Sequence, residues 1–285
     1  MILKPIPRVL SVSRRKLSAY LVEPEWPLIV TRAMDCWPAM QRWDLDYFVA
    51  RFGDFPIIAF APQFEELADW GVRTDLRAYA AYLRNPSKAE IDGVWIKGDP
   101  NSFKTSGKIL YSGNFNPANL RYGRPDEIFR DVPEMPGIID SWLPLLDQRF
   151  VETSRRIQPH FFVYLSAPGA WTPLHADFWD THAFLAQICG SKRAYLFHPK
   201  HMGLMVSDPT RDVRVMSCDE RYASIEGWVA ELHRGDLLII PSRWLHFVET
   251  LESSITYSAN WIDATNWRAY MAYGNAALQQ RGISF

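Results

Sequence analysis

His175 and Asp177, two positions apart, and His246, 71 positions beyond His175, are the residues of this sequence best suited to hold a divalent cation. Side chains at i and i+2 of an extended strand project to the same side, so one strand can offer an imidazole and a carboxylate to a single ion. A distant histidine then completes the set. Two neutral imidazoles and one carboxylate on one face of an octahedral ion leave three positions open, which is the ligand set of non-haem iron(II) oxygenases. The H-x-D spacing alone is common, so its surroundings carry the argument.

Those surroundings are the runs Ala170-Trp-Thr-Pro-Leu-His175-Ala-Asp177, Ala183-Phe-Leu-Ala-Gln-Ile-Cys-Gly-Ser-Lys192-Arg-Ala-Tyr-Leu-Phe-His-Pro199 and Gly235-Asp-Leu-Leu-Ile-Ile-Pro-Ser-Arg-Trp-Leu-His246. In order and content, over about residues 158 to 262, the chain resembles the cupin-type JmjC hydroxylases, in particular the group of the asparaginyl hydroxylase acting on hypoxia-inducible factor. The resemblance implies Fe(II) as metal, with 2-oxoglutarate and O2 as co-substrates and succinate and CO2 as co-products. It makes Lys192 and Thr172 partners of the far carboxylate of 2-oxoglutarate, whose charge would be costly inside a barrel without a cation. Tyr111 is the best match to a third family partner, and Asn260 to an asparagine near the co-substrate. The chain departs from the pattern after Asp177, where it carries two extra residues, and at Ala183, which follows His182 and stands where an asparagine is expected.

The ligands are flanked by Phe178, Trp179, Arg243 and Trp244, which we take as candidates to line a substrate mouth. The leading reading of the substrate is a protein or peptide side chain. A small metabolite or a modified tRNA base is an alternative, and a non-catalytic metal-binding scaffold of the same fold is an alternative of another class. All seven histidines lie at or after position 160, so any multi-histidine site is assembled by the second half of the chain. His160, His182, His198, His201 and His233 are read as structural.

Composition sets outer limits. With 31 basic and 32 acidic residues the net charge is −1, which offers no global field for nucleic acid or an anionic membrane. Three widely spaced cysteines without a C-x-x-C pair fit a reducing compartment, and the cytoplasm is the expected location. Prolines and an Arg14-Arg-Lys16 cluster interrupt the start of the chain where a secretion signal needs an apolar core, and no run reaches the ~20 apolar residues of a membrane span.

The elements that must position the ligands follow from periodicity. Helices are predicted over 44–52, 76–84 and 138–150, with Asp75 or Thr74 capping the second and Ile139, Trp142, Leu143 and Leu146 facing inward on the third. Strands are predicted at 55–61 and 108–112, a loop at 98–108 and a long irregular connection at 113–125. From Phe161 the period falls to 2, and strands at 161–166, 172–177, 184–188, 193–197, 237–240, 246–251 and 255–261 point to a mainly β chain with flanking helices, a double-stranded β-helix of the jelly-roll type. We expect one domain over 1–285: an N-terminal part to 157 packed on the barrel, a barrel core at 158–263, and a terminal helix near 267–280 that packs on the barrel or forms a homodimer contact.

Overall fold

A computed structural model of the protein describes residues 1–23, 25–112 and 125–283. The expected connection at 113–125 falls almost wholly outside the described residues. Among those residues the strands are β1 (Ile2–Pro5), β2 (Arg8–Val9), β3 (Leu28–Val30), β4 (Pro56–Ala61), β5 (Trp70–Asp75), β6 (Val94–Lys97) and β7 (Tyr111–Ser112) in the first part of the chain. The second part holds β8 (Phe161–Ser166), β9 (Trp171–His175), β10 (His182–Cys189), β11 (Lys192–Phe197), β12 (Glu226–Leu232), β13 (Leu237–Ile240), β14 (Leu245–Thr250) and β15 (Ser254–Trp261).

Two sheets form the barrel. One runs β1-β12-β11-β14-β9 and the other β2-β3-β13-β10-β15-β8, so that consecutive strands from β8 to β11 alternate between the sheets as a jelly roll requires. A third sheet, β6-β5-β4-β7, stands upstream. The barrel therefore extends beyond the expected 158–263 core: β1 adds in parallel to β12, and β3 pairs antiparallel with β13. The N-terminal strands occupy sheet edges that would otherwise leave backbone N–H and C=O groups without partners.

Side-chain alternation assigns the faces. In β10 the residues Phe184, Ala186 and Ile188 join the large apolar core shared with the N-terminal helices, while Ala183 and Leu185 belong to a second cluster inside the barrel. The same division holds for Leu237 and Ile239 against Leu238 and Ile240 in β13. Strands covered on both faces read as continuous apolar runs, which is why these two were legible. The outer face of β11 and β14 is covered by the 199–225 segment, through Met205, Val213, Met216 and Tyr222.

Three local expectations are corrected. The loop at 98–108 contains a helix, Pro100–Ser106, with Asp99 accepting from the Ser102 amide and Gly107 at φ +66 closing it. Its start and stop residues are those that favour a helix: Asp at the cap, Pro in the first turn, Gly at the end. No continuous helix spans 138–150. Pro144 lacks an amide proton and obstructs the carbonyl four residues back, so the chain makes only a 3-10 turn at Leu143–Leu145 and begins its helix, Gln148–Ile157, after the capping Asp147. Ile139 and Leu143 are buried as expected, whereas Trp142 and Leu146 are only partly so. The 108–112 strand shortens to β7, and β12 was not foreseen. The terminal helix, Trp267–Gln279, packs on the Gln148–Ile157 helix, where the Phe150 ring fills the space beside Gly274. No helix among the described residues is long and apolar enough to cross a membrane.

The turn at Gly190-Ser191 carries the chain from β10 in one barrel sheet to β11 in the other. Gly190 sits at φ +67, and a Cβ there would lie 2.0 Å from the Ser253 carbonyl oxygen. Both the backbone region and the clash exclude a side chain. Gly190→Ala is therefore expected to lower unfolding free energy by roughly 2 kcal/mol or more, read from the denaturant midpoint; an unchanged midpoint would mean the turn relaxes freely.

Candidate metal centre and its two cavities

The pairing of β9 with β14 decides which side chains enter the barrel. His246 stands opposite His175 and Val248 opposite Thr172, so three residues of β14 face four of β9 and one residue of β9 is extra. In a regular strand Thr172 and His175, three apart, would project to opposite faces. The bulge at Pro173-Leu174 turns both inward, leaving Leu174 in the outer cluster under the 199–225 segment. Proline has no ladder proton to lose there. The Leu174 amide is satisfied by the Arg211 carbonyl at 2.8 Å. Asp177 follows in extended backbone just past the strand end, on the side of His175.

One ligand atom each from His175, Asp177 and His246 lies within 4.8 Å of the other two, and this trio is the group of three or more metal-binding side chains found among the described residues. The His246 Nε2 is 4.0 Å from Asp177 Oδ2, and the two imidazole rings are 4.1 Å apart between centroids. His175 Nδ1 lies 2.8 Å from the Pro173 carbonyl and His246 Nδ1 3.1 Å from the Trp244 carbonyl. A carbonyl accepts only, so in each ring Nδ1 carries the proton and the Nε2 lone pair is free. Burial pushes both imidazoles down to about 4, with the neighbouring His246 adding to the effect at His175. Both rings are neutral at pH 7. Burial also raises the Asp177 carboxyl, against the pull of His175 and a hydrogen bond with Asn260. A desolvated carboxylate facing two neutral nitrogen lone pairs is a donor set suited to a divalent cation.

Behind the trio lies a small inner cavity of about 70 Å³, reached by Thr172, Lys192, Tyr111 and Asn260. Lys192, on the interior side of β11, is 2% exposed and donates to the Tyr111 phenol at 3.2 Å. No carboxylate pairs with it among the described residues. Its ammonium is pulled down to about 7 by burial alone. Tyr111 is held from outside the barrel: Tyr79 on the helix Leu76–Arg84 accepts from the Ser112 amide and donates to the Leu165 carbonyl, and Tyr82 accepts from the Leu110 amide. Those bonds tie β7 to β8. Asn260, opposite Ala183 in the β10–β15 ladder, donates to the Thr181 hydroxyl at 3.1 Å.

On the solvent side an outer cavity of about 380 Å³ shares His175, Asp177, Asn260, Tyr164 and Gln63 with the inner one and adds the rings of Phe162 and Phe178. Trp179, Arg243 and Trp244 line neither cavity. Trp244 is buried against Trp228 and His198, Trp179 packs on Tyr270, and Arg243 points to solvent from a turn at φ +65. Phe178, next to Asp177, does line the outer cavity, so adjacency in sequence was an uneven guide: packing on Tyr270 and on Trp228 takes Trp179 and Trp244 elsewhere. His182 is also structural: its Nδ1 accepts from the Ser242 amide and its Nε2 meets Asp263 and Thr265. Sequence reasoning missed Gln63, Phe64 and Tyr164. Tyr164 was recoverable from alternation with Phe161, Val163 and Leu165; Gln63 and Phe64, over a hundred residues upstream of the ligands, carry no local signal.

With the geometry in place, comparison with known proteins adds the following. A family model described as a cupin-like domain matches residues 14–266. The arginine-specific demethylase JMJ20 of Arabidopsis thaliana is 33% identical over 259 residues, covering 84% of this chain and 53% of that protein. The 2-oxoglutarate and iron-dependent oxygenase JMJD4 is 26% identical over 270 residues in Gallus gallus and 27% over 274 in Homo sapiens. Those alignments cover 87% and 86% of this chain, and 57% and 59% of the relatives. The chain thus spans a little over half the length of these curated relatives.

The unpaired Lys192 charge has a measurable cost. Its folded pKa of about 7 lies below the unfolded 10.5, so the ammonium destabilises the folded chain at and below pH 7, and the cost fades as pH rises toward 10.5. Lys192→Met is expected to stabilise the ligand-free protein by roughly 2–4 kcal/mol at pH 7. The gap to wild type should close by pH 10, as read by denaturant unfolding at both pH values.

Proposed function

The chain belongs to the cupin-like domain family, and from that premise we propose that it is an iron(II)- and 2-oxoglutarate-dependent oxygenase that hydroxylates a C–H bond of a protein or peptide. The observation that carries the reading is a buried ammonium, Lys192, with no counter-charge among the described residues, behind two neutral imidazoles and a desolvated carboxylate. The donor set at the mouth suits a cation, and the ammonium at the depth suits an anion. A divalent metal with a dicarboxylate co-substrate satisfies both.

In this reading His175, Asp177 and His246 hold the metal. Bound iron supplies the chemistry of coupling O2 and the oxidative decarboxylation of 2-oxoglutarate to insertion of oxygen into a C–H bond. Lys192, Tyr111 and Thr172 hold the far carboxylate, Lys192 by charge and the two hydroxyls by hydrogen bonds. Asn260 steadies Asp177. The Pro173 and Trp244 carbonyls keep both imidazoles in the tautomer that turns Nε2 to the metal. The apolar walls of Leu185, Ile240 and Val248 keep water from the inner cavity, and the aromatic outer cavity receives the substrate side chain. Hydroxylation of an N-methyl C–H is also the first chemical event of an oxidative demethylation, so the names of the relatives converge on one reaction type.

The first thirty residues belong with the site, because their strands add to both barrel sheets. The free Cys36, Cys189 and Cys218 accord with a cytoplasmic setting.

Purified protein supplied with Fe(II), ascorbate and a peptide panel is expected to convert 2-oxoglutarate to succinate; absence of succinate under all conditions would favour a metal-binding scaffold. His175→Ala or Asp177→Ala should abolish Mn(II) retention, and undiminished metal content would overturn the ligand set. Lys192→Ala should leave metal in place while raising the 2-oxoglutarate requirement on the order of 10- to 100-fold, the worth of a charge-assisted bond.

A further inference from the structure

Inner and outer cavities share a wall residue that has no charge and no part in the metal trio, Gln63, 7% exposed and just beyond the end of β4. Its Oε1 accepts the Thr172 hydroxyl proton at 2.5 Å, while no hydrogen bond to its Nε2 is found among the described residues. Inward of Thr172 the polar atoms continue: the Tyr111 phenol is within hydrogen-bonding reach of Thr172 and accepts from Lys192. A hydroxyl has one proton to give. Here the Thr172 proton is committed to the Gln63 carbonyl, so a carboxylate arriving beside Lys192 meets a Thr172 oxygen whose donor is turned away.

Resting on the oxygenase reading, we propose that Gln63 is a positioning residue that serves as a placeholder acceptor. It holds the Thr172 hydroxyl until the co-substrate carboxylate takes that proton, and only then is its carboxamide free to turn to the outer cavity. Two facts support the exchange. Gln63 sits on the wall common to both cavities, so one side chain can answer to both occupants. Thr172 is fixed by the β9 bulge, so its hydroxyl changes partner by rotating the O–H bond without moving the strand. The consequence is an order of binding: the wall of the substrate mouth is completed after the inner cavity is filled.

The test is calorimetric titration of 2-oxoglutarate into Mn(II)-loaded protein. Gln63→Met keeps the length and removes the acceptor, so the dissociation constant should fall roughly two- to tenfold, since one neutral hydrogen bond no longer has to be exchanged. Gln63→Leu carries the same expectation should the methionine variant fold poorly. Gln63→Glu should shift the constant the other way, because a carboxylate is the stronger acceptor and repels the entering dianion. A side chain that only buttressed the wall would weaken binding in all three. In a Thr172→Val background the gain from Gln63→Met should vanish, as expected if the two act through one bond. Unchanged or weaker binding in Gln63→Met and Gln63→Leu, or a gain that survives Thr172→Val, overturns the placeholder role while leaving the oxygenase reading intact. Wild-type protein that retains Mn(II) yet binds no 2-oxoglutarate brings down that reading, and the placeholder with it.

Discussion

One extra residue in β9, set against β14, is the constraint on which the site depends. It lets a hydroxyl and an imidazole three positions apart share the barrel interior, and it sets His246 directly opposite His175 although the two are far apart in sequence. The irregularity is chemically settled at every atom that could complain. Pro173 brings no amide proton, its carbonyl takes up the His175 Nδ1, and the Leu174 amide finds Arg211. The same carbonyl that completes the bulge also selects the imidazole tautomer. Backbone geometry and proton placement are therefore one device.

The second constraint is electrostatic. The barrel interior holds an ammonium and a carboxylate that do not pair with each other, and burial drives each toward its neutral form. An interior designed only for stability would carry neither. Their cost is offset by the apolar burial of two large clusters, one within the barrel and one between the barrel and the N-terminal helices. The free energy held in this mismatch is available to whatever ions complete the site. Preorganised donors and excluded water are what make such completion selective.

The sequence made the barrel legible where burial on both faces produced continuous apolar runs, as in β10 and β13, and where a turn glycine separated them, as at Gly190. The clustering of His175, Asp177 and His246 was legible from residue type and spacing. The bulge was not, although a proline inside a predicted strand was its signal. Trp244 and Trp179 were drawn toward the mouth by proximity to His246 and Asp177 along the chain, whereas packing sends their rings into the protein. Gln63 and Phe64 escaped altogether, because what places Phe64 edge-on to His175 at 5.1 Å is the docking of the upstream sheet on the barrel, and no local pattern encodes a contact of that range. Helix limits failed at Pro144 and at Asp99-Pro100, both positions where a single proline outweighs the surrounding periodicity.

The pairing of β1 with β12 and of β3 with β13 has an implication for handling the protein. Seven residues, Ile2–Pro5 and Leu28–Val30, serve as edge guards for the two barrel sheets. A shortened version starting at the Leu45 helix would keep every ligand yet leave two naked strand borders, each a template onto which another copy can add. The strands that cover the sheet edges and the side chains that cluster inside the barrel thus come from opposite ends of the same polypeptide, and trimming the start would expose two strand borders to pairing with another copy.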